Sequence, residues 1–145
     1  MLEKIFNGET LQALILRASF ERDGIEFFTP DDFSQQLAYM KRPTGYQIQP
    51  HVHNPVSREI MFTKEVLLIK SGVVRVDFYS DAQQYFESAV LYAGDVLLLA
   101  FGGHGFEILQ EAEIIEVKQG PYAGESDKTR FLQPSNLKPI IGAVK

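Results

Sequence analysis

The sequence contains no cysteine. That absence excludes disulfides, thiolate zinc sites, iron–sulfur clusters and cysteine nucleophiles together, so any metal must be held by nitrogen and oxygen. Long apolar runs are also missing: nothing approaches the roughly 20 residues a membrane-spanning helix needs, and a soluble protein with no membrane partner is expected. Basic clusters are short, the longest being the pair Lys41-Arg42, and the net charge is -5. Such a chain offers no electrostatic footprint for a polyanion, and nucleic acid is excluded as a partner. The opening Met1-Leu2-Glu3-Lys4, followed by Asn7, Gly8 and Glu9, lacks the basic start and apolar middle of a secretion signal, so cytoplasmic residence is expected. No repeat, low-complexity segment or linker interrupts the 145 residues, a length that suits one domain over 1–145.

What is present is β-branched and aromatic sequence in short runs bounded by Gly, Pro, Asp and Asn, the pattern of an all-β protein. Strands are expected over Leu11–Phe20, Gln35–Arg42 and Tyr46–His53. Further ones are expected over Glu65–Lys70, Val73–Tyr79, Tyr85–Tyr92, Val96–Leu99, His104–Leu109 and Ile114–Lys118. Ser71-Gly72, Ser80-Asp81, Ala93-Gly94-Asp95 and Gly102-Gly103 are the expected turns. Spacing this regular suggests a sandwich or barrel. Helical signals are weak: Leu2–Phe6 could form one turn and Pro30-Asp31-Asp32 could start another. After Lys118 the prolines and glycines of the tail, residues 119–145, cannot continue a central strand, and the tail is expected to wrap the barrel.

All three histidines fall in expected strands, and two form His51-Val52-His53. Residues i and i+2 of a strand share a face. Two imidazoles so placed can bind one ion of the Fe, Mn, Ni, Cu or Zn type, although satisfied or surface histidines give the same spacing. The segment Gly45-Tyr46-Gln47-Ile48-Gln49-Pro50-His51-Val52-His53, with Glu65 through Gly72 after it, resembles the first motif of the cupin superfamily. Gly94-Asp95-Val96-Leu97-Leu98-Leu99 followed by Gly102-Gly103-His104 resembles the second. The resemblance covers about residues 35–118 and implies a single-domain jelly-roll β-barrel. It further implies that His51, His53, Glu65 and His104 hold one divalent metal ion (Fe, Mn, Ni or Zn), with a coordination position left for water or substrate.

The chain departs from the cupin pattern in places. Eleven residues, Asn54–Lys64, separate His53 from Glu65, more than most cupins have there. Glu59 is nearer the usual distance, but Glu65 is the carboxylate followed by an alternating apolar strand and Gly72. The second motif's proline is absent, with Ala100-Phe101 near its place.

Strand parity would carry Gln47 and Gln49 inward with the two histidines, and Phe106 and Ile108 with His104, giving the mixed polar and apolar lining of a small-molecule pocket. Arg58, in the long loop, is a further candidate for binding substrate, where it could meet a carboxylate or phosphate. Glu116 and Lys118 are expected to face solvent. Two functions follow from the resemblance. One is a metal-dependent enzyme acting on a small polar molecule such as a carbohydrate, of isomerase, epimerase or dioxygenase type. The other is a noncatalytic module that binds a sugar or metabolite. A homodimer is expected, because Leu11–Phe20 reads as an apolar edge strand that pairing would cover.

Overall fold

Apolar residues alternate along the chain and cluster by strand, and the computed structural model, which describes residues 1–142, shows eight strands and one short 3-10 turn, Gly124–Asp127. The strands are β1 (Leu2–Asn7), β2 (Thr10–Leu16), β3 (Gly24–Phe27), β4 (Ala38–Lys41), β5 (Glu65–Tyr79), β6 (Tyr85–Tyr92), β7 (Val96–Leu99) and β8 (Gly103–Lys118). The chain is all-β, as its composition of runs implies. It divides into two compact units, Met1–Phe20 with Phe62–Lys145, and Glu21–Met61.

In the first unit β5 organises everything else. Its beginning pairs with β7 (Leu67 opposite Leu97), its end pairs with β6 (Val76 opposite Ala89), and β8 runs antiparallel along its whole other edge, from Glu65 opposite Lys118 to Tyr79 opposite Gly103. The sheet continues outward from β7 through β2 to β1. Buried side chains on one face make the core: Ala13 and Ile15 from β2, Leu67 and Ile69 early in β5, Val74, Val76 and Phe78 late in it, and Leu97 and Leu99 from β7. The inward residues of β5 are odd-numbered before Gly72 and even-numbered after it. An alternation of period two can change parity only where the ladder slips, and the β5–β8 register shifts between Ile69 and Val74.

Gly72 sits in that slip with φ of 83° and with the Glu111 carbonyl and Ala112 against its hydrogen, leaving no room for a side chain. Instead of a hairpin at Ser71-Gly72, β5 is therefore one bent strand, and the two expected strands His104–Leu109 and Ile114–Lys118 likewise form one, β8. The turn at Gly94 does form, with φ of 88°, and buried Asp95 accepts hydrogen bonds there from Tyr92 N at 3.0 Å and Arg17 Nη1 at 2.7 Å.

The bend curls the antiparallel sheet into a half-barrel. Across its open side buried Gln12 of β2 donates from Nε2 to the carbonyls of Tyr79 (2.8 Å) and Gly103 (3.1 Å), joining β2 to the far ends of β5 and β8. The tail continues over the same unit: Phe131 packs edge-on to Tyr79 with ring centroids 5.1 Å apart, Gln133 Nε2 donates to Asp77 at 3.0 Å, and Ile140 N donates to the Tyr85 hydroxyl at 2.7 Å. The last three residues of the expected wrapping tail lie outside the described residues.

Several expectations are corrected. Leu2–Phe6 is strand, because it pairs in register with β2, and Pro30-Asp31-Asp32 starts no helix. Leu11–Phe20 is no exposed edge: β2 lies between β1 and β7, and Gln12 through Leu16 are buried. Tyr46–His53 forms no strand. In the second unit β3 and β4 make a two-stranded ribbon, from Gly24 opposite Lys41 to Phe27 opposite Ala38. The segment joining them is held by Gln36 Nε2 donating to the carbonyls of Pro30 and Phe33 at 2.9 Å.

Candidate functional site

Glu65 opens β5 and His104 lies near the start of β8, opposite Phe78 at the other end of β5. At about 3.3 Å per residue the thirteen steps from Glu65 to Phe78 would span about 43 Å in a flat sheet. Instead His104 Nε2 stands 3.2 Å from Glu65 Oε2. The curl of the β5–β8 ribbon brings its two ends face to face. Both side chains point inward for the reason given by parity: Glu65 shares the face of Leu67 and Ile69, and His104 is the cross-strand neighbour of buried Phe78.

The pair borders a cavity of about 690 Å³. Its walls are aromatic and glycine-rich. Phe62 and Phe101 pack edge to face at 5.9 Å, Tyr79 and Phe131 at 5.1 Å, and Phe106 stands edge-on to the His104 ring at 5.5 Å. A Cβ on Gly103 would lie 3.2 Å from both Phe131 and Tyr79, so a side chain there would press on this wall. Hydrogen bonding to His104 holds the Glu65 carboxyl below the usual carboxylate range; partial burial opposes this, and the positive charges of Lys118 and Lys128 assist it. Burial, with the negative charge of Asp77, pushes the Tyr79 phenol up.

Register explains a pair of residues that alternation alone assigns to solvent. Lys118 is directly opposite Glu65 across β8, and cross-strand neighbours share a face, so Lys118 and, two residues before it, Glu116 border the cavity. The tail supplies a further wall. Asp127 accepts from Thr63 Oγ1 at 2.8 Å, which ties the 3-10 turn to the approach to β5, and Lys128, Arg130 and Gln133 follow it along the cavity. Sequence reasoning missed these tail residues. The signal that could have found them is the density of charged and aromatic side chains, Asp127-Lys128-Thr129-Arg130-Phe131, in a segment otherwise rich in Gly and Pro.

Of the residues expected at the site, Glu65, His104 and Phe106 come together in this cavity. His51 and His53 belong to the second unit, on an exposed segment without strand structure, their rings 5.3 Å apart at 81°, and His51 Nδ1 is 2.9 Å from the Gln49 carbonyl. The parity argument for Gln47 and Gln49 therefore does not apply, and both are exposed. Arg58, also exposed, borders with Glu59 a second, open pocket of about 950 Å³ that includes Asp31 and Asp32. Among the described residues no three His, Asp or Glu side chains are gathered as a metal would require. In one unit Glu65 and His104 offer an oxygen and a nitrogen donor, and in the other His51 and His53 offer two nitrogens, donor types that divalent first-row ions accept. Compared with known proteins, the chain matches no family model, no curated protein and no solved structure.

Proposed function

We propose that this chain is a small metal-binding cupin, with His51, His53, Glu65 and His104 as ligands of one divalent ion (Fe, Mn, Ni or Zn) and the aromatic cavity beside Glu65 as its substrate site. One observation supports the reading: Glu65 and His104, two of the four ligands that the resemblance implies and far apart in sequence, meet at 3.2 Å beside a cavity of small-molecule size. A bound ion would supply Lewis acidity toward a carbonyl or hydroxyl oxygen, or dioxygen activation if it is iron. The chain's own residues supply the rest. Phe62, Phe101 and Phe131 give the cavity an aromatic wall, and the Glu65 carboxylate, hydrogen-bonded to His104, can accept a hydrogen bond from a substrate hydroxyl. A small polar molecule with an apolar face, such as a carbohydrate, suits these walls, and an isomerase, epimerase or dioxygenase is the class of enzyme the reading supports.

The second reading is a noncatalytic module that binds a sugar or metabolite, for which the aromatic walls and polar groups of the cavity suffice without a metal. Metal analysis and titration of the full chain separate the two. Near one divalent ion per chain is expected, and His104→Ala should weaken its binding by about tenfold or more while the β-type circular dichroism persists, because a partly exposed ligand is lost with little core packing. Glu65→Ala should behave alike and Glu59→Ala should not. A folded parent that takes up no metal, or a His104→Ala variant that binds as tightly as the parent, would leave the binding module as the reading.

A further inference from the structure

Three cationic side chains, Lys118, Lys128 and Arg130, border the cavity that holds Glu65 and His104. Two already have partners: Lys118 Nζ is 3.3 Å from Glu116 Oε1, and Arg130 is paired with Glu125. Lys128 differs. Among the described residues no carboxylate lies within ion-pair distance of it, although its charge acts on both Glu65 and Glu125.

The segment that carries Lys128 is positioned at both ends. Asp127 is held by Thr63 at 2.8 Å, Phe131 packs on Tyr79, and Gln133 is held by buried Asp77 at 3.0 Å. An exposed ammonium group on a tethered segment, bordering a cavity and with no carboxylate within ion-pair distance, can receive an anionic ligand. The pairs of Lys118 and Arg130 are exposed and individually weak, so either cation can exchange its carboxylate for a ligand's oxygen.

We propose that the cavity selects a small molecule carrying an anionic oxygen group, a phosphate or a carboxylate, which is received by Lys128 with Lys118 and Arg130 beside it, while the remainder of the molecule meets the aromatic walls and the Glu65–His104 pair. The proposal rests on the reading of this cavity as a ligand site, and it does not require the metal. Charge-assisted hydrogen bonds to an ammonium are the stronger kind.

The test uses the full chain and two probes, inorganic phosphate and acetate, titrated at constant ionic strength with chelator present, and followed by amide chemical shifts. At least one probe should give saturable shifts at residues around Lys128, Phe131 and His104, and the tighter of the two identifies the source of the anionic group. Lys128→Gln should weaken that binding about tenfold, the effect of one charge-assisted hydrogen bond. Lys4→Gln, an exposed lysine on β1 that does not border the cavity, should leave it unchanged. The inference is overturned if neither probe saturates, if Lys128→Gln binds as tightly as the parent, or if Lys4→Gln weakens binding equally. Divalent-metal affinity measured on the same variants separates the two ideas: Lys128→Gln should not weaken it, and a parent that binds the anion but no metal refutes the metal centre alone.

Discussion

Replacing Gln12 with Leu tests whether one buried amide holds the half-barrel closed beside the site. Leucine is apolar and somewhat larger than glutamine, so the substitution leaves no cavity beside β2. What disappears is the Nε2 donor that bonds the Tyr79 carbonyl at 2.8 Å and the Gly103 carbonyl at 3.1 Å, in surroundings where Gln12 itself is 2% exposed. Each such bond contributes about 1 kcal/mol net, and carbonyls deprived of a donor without access to water cost more, so a loss of about 2–3 kcal/mol is expected. For a chain of this size that lowers the midpoint of thermal unfolding by roughly 6–12 °C. The local consequence should exceed the global one, because Gly103 precedes His104 and the Gly102 turn packs directly against the Gln12 amide. Amide exchange at Gly103 and His104 should accelerate more than exchange in β7. Chemical denaturation monitored by circular dichroism measures the first effect and hydrogen exchange the second. A Gln12→Leu variant within about 0.5 kcal/mol of the parent, the range of an ordinary surface change, would refute the claim that this amide closes the sheet.

The depressed Glu65 carboxyl gives a pH dependence of known sign. A carboxyl held below its unfolded value of about 4.3 stabilises the fold fully above that pH, and the contribution is lost as pH falls through the folded value; Glu65→Gln should therefore be less stable than the parent at neutral pH, with the gap narrowing in acid, and a gap independent of pH would sink the assignment. The homodimer is still expected, but along a different strand: β8 pairs only with β5 among the described residues and exposes Ile108, Leu109, Ile115 and Val117. Light scattering should give twice the 16.4 kDa chain mass and Ile115→Lys should lower it, whereas a monomer at high micromolar concentration would exclude this pairing.

Much of the fold was legible because two-residue alternation survives wherever one face of a strand is buried. Tyr85–Tyr92 and Val96–Leu99 match the expected strands to the residue, and the inward set of early β5, Glu65, Leu67 and Ile69, follows directly from its alternation. The misreadings have a common cause. Glycine marks a break in side-chain pattern without saying whether the chain reverses or only slips. At Gly94 the flanking Asp95 could cap a turn, and the chain reversed. At Gly72 the partner strand crosses so closely that the missing side chain is what lets β8 continue past, and a two-strand hairpin was read where one bent strand exists. β8 was divided in two for a similar reason: its polar middle, Gln110-Glu111-Ala112-Glu113, is exposed or half-buried, so no apolar alternation connects its ends.

The site was legible where a motif coincided with strand structure and opaque where it did not. Glu65 and His104 carry both kinds of signal, and the curl of the sheet unites them; His51 and His53 carry the motif alone, in a segment whose backbone forms no ladder, so i to i+2 parity had nothing to act on. Lys118 shows the converse. It has no motif, and its alternation with Val117 allows either face to be inward. Only the identity of its cross-strand neighbour decides between them, and that neighbour is Glu65, 53 positions earlier in the sequence. Register is a long-range property, set when β5 and β8 pair along their full length around the Gly72 slip. A cavity whose floor comes from one strand's beginning, another's two ends and a tail beyond both is therefore encoded less by any local spacing than by the bend that makes those ends meet.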